Sequence, residues 1–323
     1  MGLKAYIVRR TIYNVILLFF VLTLNFLIFQ WMPGDPVAII ASSKRLRPEQ
    51  VESLKKLFGL DKPLYIRYIN YIRNMFTWQF GYSYYSLKPV REEIMARLPN
   101  TLLLMGTSTL LAIVIGTAIG VIAAYKRGKL FDVISVTTSL LTYALPTFWM
   151  GMIFLLVFGY YLRLFPLAGT MSRPPPEGLL PQVVDMLRHL FLPATTLFLF
   201  SYGTYVLLMR SVLLEVLTED YIVTAKAKGL DERTILFKHA LRNALLPLIT
   251  EAAMAFGLLF SGAILTETVF SWEGMGTLLW NAIEFQDYPI LQAIFYIIAV
   301  SVIGANFIAD ILYGFVDPRI KYD

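Results

Sequence analysis

Long apolar runs separated by polar segments extend along the whole chain. Runs free of Asp, Glu, Lys and Arg occupy residues 11–34, 98–125, 133–162, 191–209 and 288–309. One more run, 243–266, carries a single acid, Glu251. Because a membrane-spanning helix needs about 20 apolar residues, the pattern predicts six spans. Pro146 lies inside the run 133–162 and removes one helical hydrogen bond, so we expect that span to be kinked or tilted.

The runs divide the chain into three parts and predict an all-α membrane protein. Residues 1–34 hold the N-terminus and the first span, and residues 35–97 form an external helical loop. Residues 98–323 form the main membrane region, with spans near 98–125, 131–162, 190–211, 243–267 and 288–311. A polar segment at 216–242 links two of these spans.

Basic residues in the short polar segments predict the orientation. If six spans alternate, one side receives the Lys and Arg residues of segments 4–10, 126–129, 226–242 and 319–321. An excess of Lys and Arg marks the cytoplasmic side, so both termini are expected there. The loop 267–287 has four acids and no Lys or Arg, which places it outside.

The external loop 35–97 has the sequence pattern of two amphipathic helices. Pro48 suits a first helical position and Gly59 a C-terminal stop. A second amphipathic piece follows Pro63 and places large apolar side chains on one face. Two interpretations stay open: a cap that packs on the spans, and a docking surface for an outside partner. Residues 172–190 are expected to form another external loop.

Composition supports a membrane protein and argues against several kinds of chemistry. The chain of 323 residues is 57% hydrophobic and 15% charged, with a mean hydropathy of +0.64. Soluble domains have about 25% charged residues. Cys is absent and His occurs twice, which argues against thiolate and His-rich metal sites. The net charge of +6 fits loops held against anionic lipid better than nucleic-acid binding.

Catalytic motifs are missing as well. The sequence contains no Gly-x-x-x-x-Gly-Lys-[Ser/Thr] phosphate loop, no His-Glu-x-x-His and no Gly-x-Ser-x-Gly. We therefore expect no catalysis and no cofactor in this chain. Charged groups within spans face a bundle interior or a cavity by default, so Glu251 is a candidate lining group of a substrate path, together with Pro146. The alternative for Glu251 is a local ion pair or hydrogen bond that fixes packing.

The segment 216–242 has the capping signals of a short, bounded helix. Thr218 suits the N-cap, acids follow it in the first turn, and Gly229 supplies a left-handed stop after two lysines. Asp231 is placed to cap a second helix that leads into the next span. Ala225 and Ala227 have small side chains, so part of the helix surface carries no projecting group. A helix of about ten residues, roughly 15 Å long, either docks in a groove of a cytoplasmic partner or lies flat on headgroups.

Six short motifs, in order, resemble one family over nearly the whole chain. They are MPGDPV at 32–37, RLPNTLLL at 97–104, ALPTFWMG at 144–151, DYIVTAKAKGLDERTILFKHALRNALLP at 220–247, ETVFSWEGMG at 267–276 and DPRIKY at 317–322. The chain resembles the permease subunits of bacterial ABC importers, in the dipeptide/oligopeptide (and nickel) permease family, first-subunit type. The fourth motif resembles that family's EAA loop. It departs from the general EAA pattern, with which only Ala225, Gly229 and Leu241 agree.

The resemblance implies a type I ABC importer permease fold in the bacterial inner membrane. It implies a homologous second permease, two ATPase subunits that bind ATP and Mg²⁺, and an external substrate-binding protein as partners. The implied ATPase-coupling helix comprises Asp220, Tyr221, Thr224, Ala225, Lys226, Ala227, Lys228, Gly229, Leu230 and Asp231. An outer loop facing the binding protein would contain Trp272, Gly274, Met275 and Gly276.

The resemblance leaves the cargo open. Half of a path for di- or oligopeptides is the first expectation, and nickel or another small solute is the alternative. A stand-alone secondary carrier would show inverted repeats and several midplane acids, and the sequence shows neither.

Overall fold

The computed structural model describes residues 3–32, 37 and 47–316, and its regular structure is helical. Most of the motif at 32–37, the whole motif at 317–322 and the basic tail lie outside the described residues. The helices are α1 (Leu3–Trp31), α2 (Pro48–Leu57), α3 (Leu64–Phe76), α4 (Val90–Tyr125), α5 (Leu130–Ala144), α6 (Thr147–Phe154), α7 (Leu179–Val216), α8 (Asp220–Ala227), α9 (Glu232–Thr234), α10 (Leu241–Gly257), α11 (Ile264–Val269), α12 (Met275–Glu284) and α13 (Tyr288–Val316).

Within the described residues, five helical stretches are long and apolar enough to cross a membrane. They are Tyr6–Trp31, Val90–Tyr125, Leu179–Val216, Glu232–Ser261 and Tyr288–Ile311. The stretch Glu232–Ser261 joins α9, a π-helical segment Ile235–Ala240, α10 and a 3₁₀ turn Leu258–Ser261. A sixth crossing exists if the pair Leu130–Ala144 and Thr147–Tyr161 counts as one span.

That pair corrects the expectation of one kinked or tilted span over 133–162. The two helices meet at an angle of 99°, which is a break rather than a kink. Leu145 is extended (ψ 132°) and Pro146 precedes the first residue of α6. A proline disfavours helical geometry in the residue before it and removes a backbone donor, so the first helix ends here and a new one begins.

Two predicted external loops are shorter than expected. α4 begins at Val90, inside the predicted loop 35–97, and α7 begins at Leu179, inside the predicted loop 172–190. Gly178 is the residue before α7 and has φ 90°, a conformation that glycine adopts readily, and α7 begins directly after it. Apolar runs indicate the part of a helix in lipid, so they miss the turns that project beyond it.

Close packing of α4 against α7 forms the centre of the bundle. A Cβ added to Gly116 would lie 2.7 Å from the carbonyl oxygen of Tyr202, and one added to Gly120 equally near that of Val206. Small residues four apart let membrane helices approach closely. No role was predicted for Gly116 and Gly120, although their four-residue spacing was an available signal.

The external part 47–89 packs on the outer ends of α1 and α13. As predicted, Pro48 begins α2 and Gly59, with φ 66°, follows its end. α3 contacts α1 through a hydrogen bond from the Asn25 amide to the Tyr71 hydroxyl, 2.9 Å long. The buried core there includes Phe26, Met75 and residues of α12 and α13. The interpretation as a cap is confirmed, and a docking role for its outer surface stays a prediction.

Candidate functional site

The coupling segment, residues 216–242, folds as a short capped helix followed by a turn. α8 has eight residues, Asp220–Ala227, rather than about ten. Its N-cap is Glu219, so the prediction of Thr218 is wrong by one residue. The Thr218 hydroxyl instead donates to the Glu215 carbonyl at 2.7 Å, which ends α7. Gly229, with φ 75°, provides the predicted left-handed stop.

The second cap is also as predicted. The Asp231 carboxylate accepts a hydrogen bond from the Thr234 backbone N–H at 3.1 Å and starts α9. Hydrogen bonds from Thr234 lower the pKa of Asp231 below its usual value. The chain therefore passes from one helix to the next within the four residues from Lys228 to Asp231.

One face of α8 packs against its own chain. Ile222 and Ala225 are buried in a cluster formed by α4, α7 and the start of the next span. Ala225 was predicted, with Ala227, to leave part of the helix surface without a projecting group, but its side chain packs inward and is not part of the exposed face. The Tyr221 hydroxyl accepts a hydrogen bond from the Asn243 amide at 2.7 Å, so the ring is tied to α10.

The opposite face of α8 and the turn after it are exposed. Val223 has 56% of its surface accessible and Leu230 39%. Thr224, Lys226, Ala227, Lys228, Gly229 and Asp231 are exposed beside them. Apolar side chains exposed among polar ones on a capped helix form a surface suited to a protein partner.

Ion pairing anchors the spans that carry α8. Asp132 at the start of α5 is buried and accepts two hydrogen bonds from Arg210 of α7, 2.5 and 2.9 Å long, and one from the Gly128 N–H. The Tyr125 hydroxyl donates to Glu232 at 3.1 Å. These contacts join α5 to α7 and α4 to α9 at the end of the bundle that carries α8.

The outer segment 262–277 is more buried than the sequence suggested. Trp272 and Met275 have 0% accessible surface, and Gly274 and Gly276 are buried with them. The prediction was that their loop faces a binding protein, but these four residues themselves pack inward. The exposed positions of this segment are Leu265, Thr268, Ser271 and Glu273. That the loop as a whole meets a partner stays a prediction.

Sequence reasoning missed the residue at the centre of this segment, Glu267. Its side chain is fully buried and accepts hydrogen bonds from the Thr101 hydroxyl at 3.0 Å, the Thr277 N–H at 2.9 Å and the Ala263 N–H at 3.2 Å. Burial raises the pKa of Glu267. We call Glu267, Thr101, Gly262, Gly274 and Gly276 the Glu267 cluster. A lone acid at the end of an apolar run, followed by Gly-x-Gly, was the available signal.

The candidate path residue Glu251 is half-buried in the middle of its span. It follows Arg242 by nine residues, about 14 Å along a helix. No ion pair or hydrogen bond of its carboxylate occurs within the described part of the chain, which gives the packing alternative no support. Pro146, the other candidate, lies at the break between α5 and α6.

Comparisons with known proteins agree with this geometry. Residues 116–322 match the family described as "Binding-protein-dependent transport system inner membrane component", and residues 3–105 match its N-terminal companion. The Di/tripeptide transport system permease protein DppB of Pseudomonas aeruginosa is 39% identical over 98% of this chain and 99% of its own. The Oligopeptide transport system permease protein AppB of Bacillus subtilis is 39% identical over 99% of this chain and 100% of its own.

A third relative is the Glutathione transport system permease protein GsiC of Escherichia coli, 35% identical over 98% of this chain and 99% of its own. The matches cover the spans, the coupling segment and the external part alike. The chain therefore belongs to the family of binding-protein-dependent transport system inner membrane components, multi-pass proteins of the bacterial inner membrane with the type I ABC permease fold.

Proposed function

We propose that this chain forms half of a translocation path for di- or oligopeptides in an ATP-driven importer. A homologous permease supplies the other half, two ATPase subunits bind ATP and Mg²⁺, and an external binding protein delivers the substrate. The chain itself performs no catalysis. The names of the three relatives, which refer to di/tripeptide, oligopeptide and glutathione transport, support peptides over nickel.

The observation that carries the proposal is the two-sided packing of α8. Ile222 and Ala225 attach the helix to the ends of its own spans, while Val223 and Leu230 on the other side are exposed. A helix held this way moves with the spans when a bound partner moves. Closure of the ATPase subunits would shift α8 and so switch the path between inward-open and outward-open states. Glu251 would then line the path within its span.

The docking step is tested by changing only the exposed face. Val223→Arg places a long cation where an ATPase groove would close over valine, and leaves the buried face intact. We expect copurification of the ATPase subunits to weaken by about tenfold or more, as for the centre of a protein interface. Uptake of a radiolabelled dipeptide by membrane vesicles should fall in parallel.

A matched variant separates docking from general damage. Leu130→Arg changes a different exposed apolar residue, at 74% accessible surface, at the start of α5. It should retain assembly and uptake. Ala225→Arg is unsuitable because Ala225 packs inward, so that change disturbs folding. Normal ATPase copurification and normal uptake in Val223→Arg would overturn the docking role of α8.

A further inference from the structure

A cavity of about 410 Å³ lies on the outer side, between the external helices and the ends of the first and last spans. α2 and α3 border it with the residues that join them, and Phe80–Tyr84 closes one side. The last turn of α1 and the first turn of α13 form the remainder of the wall. Its volume is within the range of about 300–1,000 Å³ typical of small-molecule sites.

Aromatic side chains form one part of the cavity wall. Phe26, Tyr71, Phe80 and Tyr288 are buried and line it, with Phe29 of α1 beside them. These side chains belong to the external core, so the wall is fixed by packing. An aromatic wall at the end of a span favours a ligand that has an apolar part.

The polar groups of the cavity are cations and carboxamides. Lys62 and Arg67 line it, and neither makes an ion pair within the described part of the chain. Lys56 also lines it and pairs with Glu52 at 2.9 Å. The described lining residues include no acid. Four carboxamides whose side chains make no hydrogen bond within the described residues complete the set: Gln30, Asn70, Asn74 and Gln292.

The position of the cavity relative to the membrane further limits the chemical class of the ligand. Gln30 is followed by Trp31, which is 76% accessible, and indole rings collect at the membrane–water boundary. Tyr65 and Ile69 on the outer face of α3 are also exposed. Headgroups of the outer leaflet lie at this level, and basic pockets between membrane helices bind anionic headgroups.

We propose that the cavity is a binding site for an anionic phospholipid of the outer leaflet. The phosphate lies between Lys62 and Arg67, because a guanidinium fork matches two phosphate oxygens. The carboxamides donate to the remaining headgroup and ester oxygens, and the first methylene groups contact Phe29. The bound lipid fixes α3 against α1 and α13, and this role is independent of the substrate that the transporter carries.

The site is tested on the assembled transporter, purified in detergent and titrated with short-chain phosphatidylglycerol. Native mass spectrometry reads the number of bound lipids, and a thermal scan reads the unfolding midpoint. The double variant Lys62→Gln/Arg67→Gln should bind the lipid about tenfold or more weakly, since it removes both phosphate partners. The lipid should also raise its midpoint less than that of the unmodified protein.

Arg73→Gln is the matched control, because Arg73 is an exposed arginine on the same helix that does not line the cavity. It should bind phosphatidylglycerol as the unmodified protein does. Short-chain phosphatidylcholine should bind more weakly than phosphatidylglycerol to the unmodified protein.

Three outcomes would overturn the proposal. One is equal phosphatidylglycerol binding by the double variant and Arg73→Gln. Another is displacement of the lipid by inorganic phosphate at equal concentration, which would make the cavity a site for a free anion. The third is unchanged lipid binding together with weaker association of the external binding protein, which would make Lys62 and Arg67 a contact for an acidic protein surface.

Discussion

The coupling segment 216–242 and the outer segment 262–277 are both short glycine-containing links between spans, yet they are held in opposite ways. In the coupling segment, α8 buries Ile222 and Ala225 and exposes the rest of its surface. In the outer segment, the main feature is internal: a buried carboxylate that accepts hydrogen bonds from three donors. The coupling segment exposes most of its helix surface, whereas the outer segment is held by hydrogen bonds in its interior.

This difference follows from what each segment contacts. Trp272 donates its indole N–H to the Asn100 carbonyl at 3.0 Å, and the Thr101 hydroxyl accepts from the Met275 N–H at 2.7 Å. Hydrogen bonds around a buried charge are costly to break, because no water replaces them. The outer segment is therefore tied to α4, whereas the outward face of α8 stays exposed.

The largest expected effect comes from removing the carboxylate of the Glu267 cluster. Glu267→Ala leaves the Thr101 hydroxyl and the Thr277 and Ala263 N–H groups buried without an acceptor. Each such loss costs about 1–3 kcal/mol, so the free energy of unfolding should fall by about 3 kcal/mol or more. The midpoint of thermal unfolding of the detergent-solubilised protein measures the change.

Glu273→Ala is the control for that experiment. Glu273 pairs with Arg173 on the outer surface, where both side chains are exposed. A surface pair contributes about 0–1 kcal/mol, so the midpoint should hardly move. Equal shifts for the two variants would show that the outer segment is no more tightly held than an exposed loop.

The two segments also differ in how well the sequence predicts them. In the coupling segment the determinants are local: Gly229 stops a helix, and Asp231 caps the next one three residues before its bonded N–H. Spacing alone reveals such signals. The Thr218 prediction was wrong by one residue because Glu219 takes the extended cap conformation instead.

The contacts that hold the outer segment join residues far apart in the sequence. Thr101 and Glu267 are separated by 166 positions, and Ser83 and Asp287, which also bond, by 204. No pattern within one run predicts which threonine meets which acid. The number of apolar runs did predict the spans, but the helix starts at Val90 and Leu179 project beyond lipid, where hydropathy gives no signal.

A matched pair of glycines sharpens the comparison with a smaller effect. A Cβ at Gly274 would lie 2.5 Å from both the Glu267 carboxylate and the Thr101 hydroxyl. Gly274→Ala should therefore cost about 1–3 kcal/mol through overpacking. Nothing lies within 4 Å of a Cβ at Gly229, whose requirement is its φ of 75°. Gly229→Ala should cost about 1–2 kcal/mol through backbone strain alone.

The two variants should also differ in kind. Gly229→Ala acts on the turn after α8. It should therefore reduce ATP-driven uptake strongly and shift the midpoint of thermal unfolding only slightly. Gly274→Ala should lower the midpoint first. Gly106→Ala on α4, with open space around its Cβ, is the control and should leave both unchanged. A larger loss of stability in Gly229→Ala than in Gly274→Ala would contradict the comparison.

The smallest expected effect is on how stability depends on pH, which should have opposite signs for the buried acids near the outer segment and for Asp231 of the coupling segment. Burial raises the pKa of Glu267 and of Asp287 above their usual values near 4.5 and 3.8. As pH falls from neutral, the folded protein takes up these protons before the unfolded chain does. The stability that they contribute is therefore fully present below the usual values and is lost as pH rises through the raised ones.

Asp231 in the coupling segment has the reverse behaviour. Its pKa is lowered, so its contribution is present above about 3.8 and is lost as pH falls through the lowered value. Thermal midpoints of the unmodified protein and Glu267→Gln, measured from about pH 8 to pH 5, isolate the outer contribution. As pH falls, the thermal midpoint of the unmodified protein should rise relative to that of the variant. A difference between the two midpoints that stays constant across this range would show that Glu267 does not titrate differently in the folded and unfolded protein.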